Sequence, residues 1–260
     1  MESEMRLSGN TILITGGSAG IGLALAKKFV ELGNKVLVTG RTESKLQKAK
    51  EEVPELETFV CDVSHPTAIQ TLANQVRESH PGLNVLINNA GIFIARNITS
   101  AANDLDELVK EIDINFSGTV WTTSCFVDII KKNKGTIMNV SSGLAFVPLQ
   151  SAPIYCATKA ALHSYSTSLR YQLAEYGVEV IELAPPAVKT NLTADLPEDG
   201  EFKMLTTAEL VKSTIDGIKA GKKEIRPGQA NQLKFMSRLA PGFIEDQIWK
   251  GSKFLLPKPD

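Results

Sequence analysis

Runs of consecutive apolar residues alternate along this chain with stretches whose apolar positions recur at helical spacing. That alternation restricts the fold more than any other feature. The strand candidates are "TILIT", "KVLVTG", "ETFVCD", "NVLINNAG", "GTIMNVSS", "VEVIEL" and the short "KKEIRP". They are apolar along their length instead of at every second residue, the pattern of strands buried on both faces. Between them lie the amphipathic "IGLALAKKFVELG", stopped by Gly33, and helical stretches at about 44–53, 67–78, 104–132, 154–176 and 208–220. Strand and helix alternate about seven times, which requires parallel strands joined by right-handed crossovers. The expected fold is α/β, a doubly wound, mostly seven-stranded parallel sheet with helices on both faces. No Pro/Gly/Ser-rich linker or repeat interrupts the series, so the 260 residues read as one domain with a core at about 10–227. The tail at 228–260 carries scattered apolar residues, suited to short helices packed on the core or to a face for a partner subunit.

A net charge of -1 argues against nucleic acid or an anionic membrane as the main partner. Cys61, Cys125 and Cys156 are odd in number and widely spaced, as reduced thiols of a cytosolic protein would be. His65, His80 and His163 stand alone, so no metal site is expected. The N-terminus lacks the apolar run of a signal peptide, and no stretch approaches the roughly 18 apolar residues of a membrane span. A cytoplasmic location is expected.

"TGGSAGIG", with Gly16, Ser18, Gly20, Ile21 and Gly22, follows the first strand and opens the first helix. Glycines there let the backbone approach a pyrophosphate resting on the positive helix end, so a dinucleotide is expected. The end of the second strand reads "VTGRTESK", with Gly40 where an NAD site usually has an acid, and Arg41 next. A guanidinium there suits a 2′-phosphate and favours NADP(H). NAD(H) stays open, with Arg41 merely starting a loop and Glu43 turning inward. Asp62, after the third strand, suits either an adenine amino group or a turn. In "NNAG", which ends the fourth strand, Gly91 would let the chain pass close to a ribose.

Tyr155 and Lys159, in "SAPIYCATKAALH", are four residues apart and share one helix face. The pair is either a surface coincidence or a device in which a cation favours the phenolate. Taken together, T-G-x-x-x-G-x-G, N-N-A-G, a later Asn, a Ser thirteen residues before Tyr, and Y-x-x-x-K resemble the compact branch of the short-chain dehydrogenase/reductase superfamily. "TGGSAGIGLALA", "GRTESKL" and "LAPPAVKT" are similar to bacterial oxidoreductases of the DltE type, a designation that implies no substrate.

The resemblance implies that Tyr155 is the general acid/base and that Lys159 lowers its pKa while binding the nicotinamide ribose. It also implies that Ser142 bonds the substrate oxygen and that Asn115 holds a water linking Lys159 to solvent. Asn89, Ala90 and Gly91 would lie along the cofactor, Asp62 and Val63 at the adenine, and Val188 and Thr190 at the nicotinamide amide. Relatives commonly form a homodimer or homotetramer through the helices at 104–132 and 154–176. One departure stands out: Pro185-Pro186 replaces the usual Pro-Gly, which stiffens the nicotinamide-side loop.

The expected reaction is hydride transfer between NADP(H) and a carbonyl or alcohol substrate. The alternatives are an NAD(H)-dependent dehydrogenase of the same fold or a non-catalytic NADP(H)-sensing regulator. Phe93, Ile94 and residues 143–150 are mostly apolar and suit a nonpolar aldehyde or ketone, with residues 191–205 as a lid. Cys156 reads as a small core residue, and His163 lies too far along the helix to serve Tyr155 as a triad base.

Overall fold

A computed structural model describes residues 5–99, 104–194 and 204–257. Its strands are β1 (Thr11–Ile14), β2 (Lys35–Gly40), β3 (Glu57–Val60), β4 (Leu83–Asn88), β5 (Thr136–Val140), β6 (Glu179–Leu183) and β7 (Glu224–Ile225). They form one sheet in the order β3-β2-β1-β4-β5-β6-β7, and every pairing is parallel. The connecting helices are α1 (Gly20–Glu31), α2 (Glu43–Glu52), α3 (Pro66–Ser79), α4 (Leu105–Ile112), α5 (Gly118–Lys132), α6 (Pro153–Ala174) and α7 (Thr207–Lys219).

The wholly apolar strands explain this layering. Successive residues of β1 feed opposite faces: Ile12 and Ile14 pack with Leu25 and Phe29 of α1 and Leu210 of α7, while Leu13 packs with Ile69 of α3 and Phe126 of α5. β3 departs from the pattern because it is an edge strand, and Val60 is exposed. Chain order reverses direction between β1 and β4, which opens a crevice at the carboxyl ends of these strands.

The helix expected over 104–132 is not continuous. A π-helical turn, Asp113–Ser117, separates α4 from α5. Its cause is legible at Asn115, whose Nδ2 donates to Ile92 O (2.9 Å) and whose Oδ1 accepts from Ile92 N (2.8 Å). Holding a strand-end backbone from mid-helix widens that turn locally, as such bulges do at functional sites.

The tail folds as α8 (Gln229–Leu239) and α9 (Pro241–Ser252), followed by a 3-10 turn, Lys253–Leu255. Pro241 starts α9 and forces the break from α8. The tail packs on its own chain: Ala230 is fully buried, and Asn97 Nδ2 donates to Pro257 O (2.9 Å). Among the described residues, no helix is long and apolar enough to cross a membrane. Most of the lid expected at 191–205 lies outside the described residues.

Candidate active site

A cavity of about 1370 Å³ runs along the carboxyl ends of the strands. At one end the β1–α1 turn contributes Gly16, Ser18, Gly20 and Ile21. Gly16 has φ +65°, and a Cβ there would stand 2.9 Å from Ala90 Cα. Gly22 lies behind the turn, where a Cβ would collide with Gly16 O and Asn89 Nδ2. Asn89 Nδ2 donates to Thr15 O (3.0 Å) and Gly16 O (3.2 Å), while Thr15 Oγ1 accepts from Asn89 N (3.0 Å) and Ala90 N (3.1 Å). The two loops are thereby tied together.

α1 opens without a side-chain cap and without an acid in its first turn. Its leading N–H groups are set to meet an anion. Arg41 and Lys45 line the cavity beyond this turn, whereas Glu43 begins α2. Asp62 and Val63 line the same end. Asp62 Oδ1 accepts from Ser64 N (3.0 Å) and Oγ (2.7 Å), so the turn role foreseen for it is present. Burial raises its carboxyl, but the Ser64 hydrogen bonds and the charges of His65 and Arg41 outweigh that and hold it below the usual range.

At the other end lie Ser142, Tyr155 and Lys159. Tyr155 and Lys159 face the β5 end from α6, and both are buried. The Phe93 ring packs edge-on against Tyr155, with centroids 5.1 Å apart. Lys159 Nζ donates to Val140 O (3.0 Å) and lies 5.6 Å from the Tyr155 ring centre. Gly91 admits both neighbours: a Cβ there would stand 3.3 Å from Asn115 Oδ1 and 3.5 Å from Lys159 Nζ. Asn89, Ala90, Gly91, Val188 and Thr190 all line the cavity; Asn115 is fully buried beneath it.

Electrostatics correct one expectation. Burial pushes the Tyr155 phenol up to about 12; a hydrogen bond with Ser142 opposes this, while Cys156 and Glu111 add to it. Burial also pulls the Lys159 ammonium down to about 8. The polypeptide by itself therefore does not produce the lowering expected of Lys159: desolvation of the phenolate dominates, and the Ser142 hydrogen bond is what opposes it.

Cys156 is buried with its thiol pushed up to about 11 by desolvation, as suits a core residue. His163 has a partner the sequence did not suggest: Nδ1 lies 2.6 Å from Glu182 Oε2, and Glu182 Oε1 accepts from Ser141 Oγ (2.5 Å). The glutamates of "VEVIEL" were the available signal, since an acid in a wholly buried strand needs a partner. Pro185 does more than stiffen its loop, because its carbonyl accepts from Gly143 N (2.8 Å) and so fixes the turn after Ser142.

The family model for short chain dehydrogenase matches residues 10–201. The chain is 42% identical over 237 residues to the uncharacterized oxidoreductase DltE of Bacillus subtilis, covering 90% of this chain and 94% of that protein. The chain belongs to the short-chain dehydrogenase family. A further relative, an uncharacterized oxidoreductase of Staphylococcus saprophyticus, is 30% identical over 81% of this chain and 92% of its own length.

Solved short-chain dehydrogenases share the fold. One from Burkholderia cenocepacia, in complex with NADP, superposes with TM-score 0.83 at 24% identity, covering 94% of this chain and 99% of its own. Another from Burkholderia phymatum, in complex with NAD, gives 0.79 at 21% identity over 93% and 96%. As a short-chain dehydrogenase the chain is an oxidoreductase of a family that binds nicotinamide cofactors.

Proposed function

We propose that this short-chain dehydrogenase is an NADP(H)-dependent reductase of aldehydes or ketones, reversible as an alcohol dehydrogenase. One observation carries the reading: a single cavity joins the glycine turn and Arg41 at one end to Tyr155, Ser142 and Lys159 at the other.

The cofactor end fits the group. Gly16 lets the β1–α1 turn close on Ala90, Gly91 lets the neighbouring loop close on Asn115 and Lys159, and α1 offers uncapped N–H groups to the pyrophosphate. Arg41 with Lys45 would hold a 2′-phosphate, which favours NADP(H) over NAD(H). Val188 and Thr190 would meet the nicotinamide amide. When bound, NADPH supplies the hydride that reduces the carbonyl carbon.

The chain's own residues handle the oxygen. Tyr155 gives its phenolic proton to the carbonyl oxygen, and a pKa held high by burial keeps that proton in place at neutral pH. The Ser142 hydroxyl donates to the same oxygen as charge develops, worth about 2–4 kcal/mol if it resembles an oxyanion-hole donor. Lys159 binds the ribose and restores the phenol proton. Asn115 fixes the Gly91–Ile92 backbone against Lys159 through its two bonds to Ile92, and the N–H and lone pair left over would hold the water that links Lys159 to solvent. For oxidation, the cationic charge needed to favour the phenolate is shared between Lys159 and the oxidised cofactor.

We also propose that the chain assembles as a homodimer or homotetramer. Leu105, Val109 and Ile112 form an exposed apolar stripe on α4 at helical spacing.

A screen of small aldehydes and ketones, followed by NADPH absorbance, tests the activity. Turnover of at least one carbonyl class is expected. A purified, NADPH-binding protein inert across the series would favour the sensor reading instead.

A further inference from the structure

The tail's position over Tyr155 has consequences for the substrate. α8 packs directly on the turn that follows Ser142: a Cβ at Gly143 would stand 3.2 Å from Ala230 Cβ and 3.3 Å from Leu233 Cδ1. Lys234, also on α8 and buried, forms an ion pair with Glu224 of β7 and lies 5.0 Å from the Phe146 ring centre. The far end of the tail is held by the Asn97–Pro257 hydrogen bond. The tail is thus anchored at both ends, with the cavity beneath it.

The surface it turns to that cavity is apolar and in register. Ile244, Ile248, Gly251 and Leu255 all line it, spaced i, i+4, i+7 and i+11 along α9 and the following turn. Ile248 and Leu255 pack against the buried cluster that contains Tyr155, alongside Phe93 and Leu144 of the core. Lys234 and Arg226 also line the cavity, but both pair with Glu224, with Arg226 Nη1 at 3.5 Å. The remaining polar tail residues there, Gln229, Asn231, Gln232, Arg238 and Gln247, are exposed and belong to its mouth.

We infer that the tail helices form the substrate-binding wall and that the site takes a carbonyl compound bearing an unbranched aliphatic chain, which lies between Leu144 and Phe93 on one side and Ile248 and Leu255 on the other. The inference rests on the carbonyl-reductase reading for the position of the oxygen at Tyr155 and Ser142. The wall itself is independent of that chemistry. A linear chain matches a stripe that runs along a helix, and each methylene moved from water into it adds to affinity.

The test is binding of a homologous series of 2-alkanones, from acetone to 2-decanone, to the protein saturated with NADP+, measured by calorimetry. A ketone and the oxidised cofactor have no hydride to exchange, so affinity is read without turnover. Affinity should rise about fourfold with each methylene until the chain reaches the mouth. Ile248→Asn should weaken 2-decanone about tenfold or more while NADP+ affinity, the control for folding, is retained; Leu255→Ala provides a second probe of the same wall.

A flat or falling series in the wild-type protein overturns the inference, as does a slope untouched by both variants. A rising series in a protein that turns over no carbonyl compound would support this wall and defeat the reductase reading. A flat series with turnover of small carbonyls would do the reverse.

Discussion

Burial drives both Tyr155 and Lys159 toward their neutral forms, the phenol up to about 12 and the ammonium down to about 8. A buried lysine charge is a cost the fold carries for function. From its ordinary value of 10.5, that displacement corresponds to about 3 kcal/mol against the charged form, partly offset by the bond to Val140 O. Lys159→Met should therefore abolish turnover yet raise stability at pH 7 by about 1 kcal/mol, a rise in Tm of ~2–4 °C in a thermal scan. The sign follows from a depressed folded pKa. The wild-type charge penalty is full below about 8 and fades as pH rises toward 10.5, so the variant's advantage should shrink over that window. With the phenol held at about 12, carbonyl reduction should stay level from neutral to about pH 10 while alcohol oxidation climbs over the same range, in steady-state assays. Arg41→Ala should weaken NADPH by about tenfold or more and leave NADH within about twofold, measured as paired dissociation constants. That Tyr155 and Lys159 share a helix face was readable from the sequence because helix geometry is local, whereas Ser142 and Asn115 were singled out only by the family resemblance. The proton affinities of Tyr155 and Lys159 were not readable, because these depend on how much of the folded chain excludes water.

Among the elements, the glycine turn and the apolar strands followed directly from the sequence, since each obeys a short-range rule of backbone or burial. The π-helical turn did not, because its cause, the pairing of Asn115 with Ile92, joins residues 23 apart in the chain. The Lys234–Glu224 pair also depends on tertiary contact, joining α8 to β7 ten residues earlier. Its role as an anchor predicts that Lys234→Met loosens α8 without disturbing the sheet. Limited proteolysis should then cut near residue 228 faster than in wild type. The charge-swapped pair Lys234→Glu with Glu224→Lys should restore resistance in part. Equal cleavage rates in all forms would show that α8 is held by apolar packing alone.

For the molecule as a whole, strand–helix alternation was sufficient to foresee the parallel sheet and its crevice. The tail was legible only as apolar residues, because two short helices with no strand between them obey no crossover rule, and their docking on the Ser142 turn is a tertiary fact. The exposed stripe on α4 predicts that sedimentation gives a multiple of the 28.2 kDa chain mass and that Val109→Asp shifts it toward the monomer. The central claim, that Tyr155 delivers the proton in an NADPH-dependent carbonyl reduction, is tested most directly by single-turnover NADPH oxidation with wild-type protein and Tyr155→Phe on a ketone found in the screen. The account predicts a loss of about a thousandfold or more in rate, with NADPH affinity within a few-fold of wild type. A variant that oxidises NADPH at the wild-type rate would contradict it.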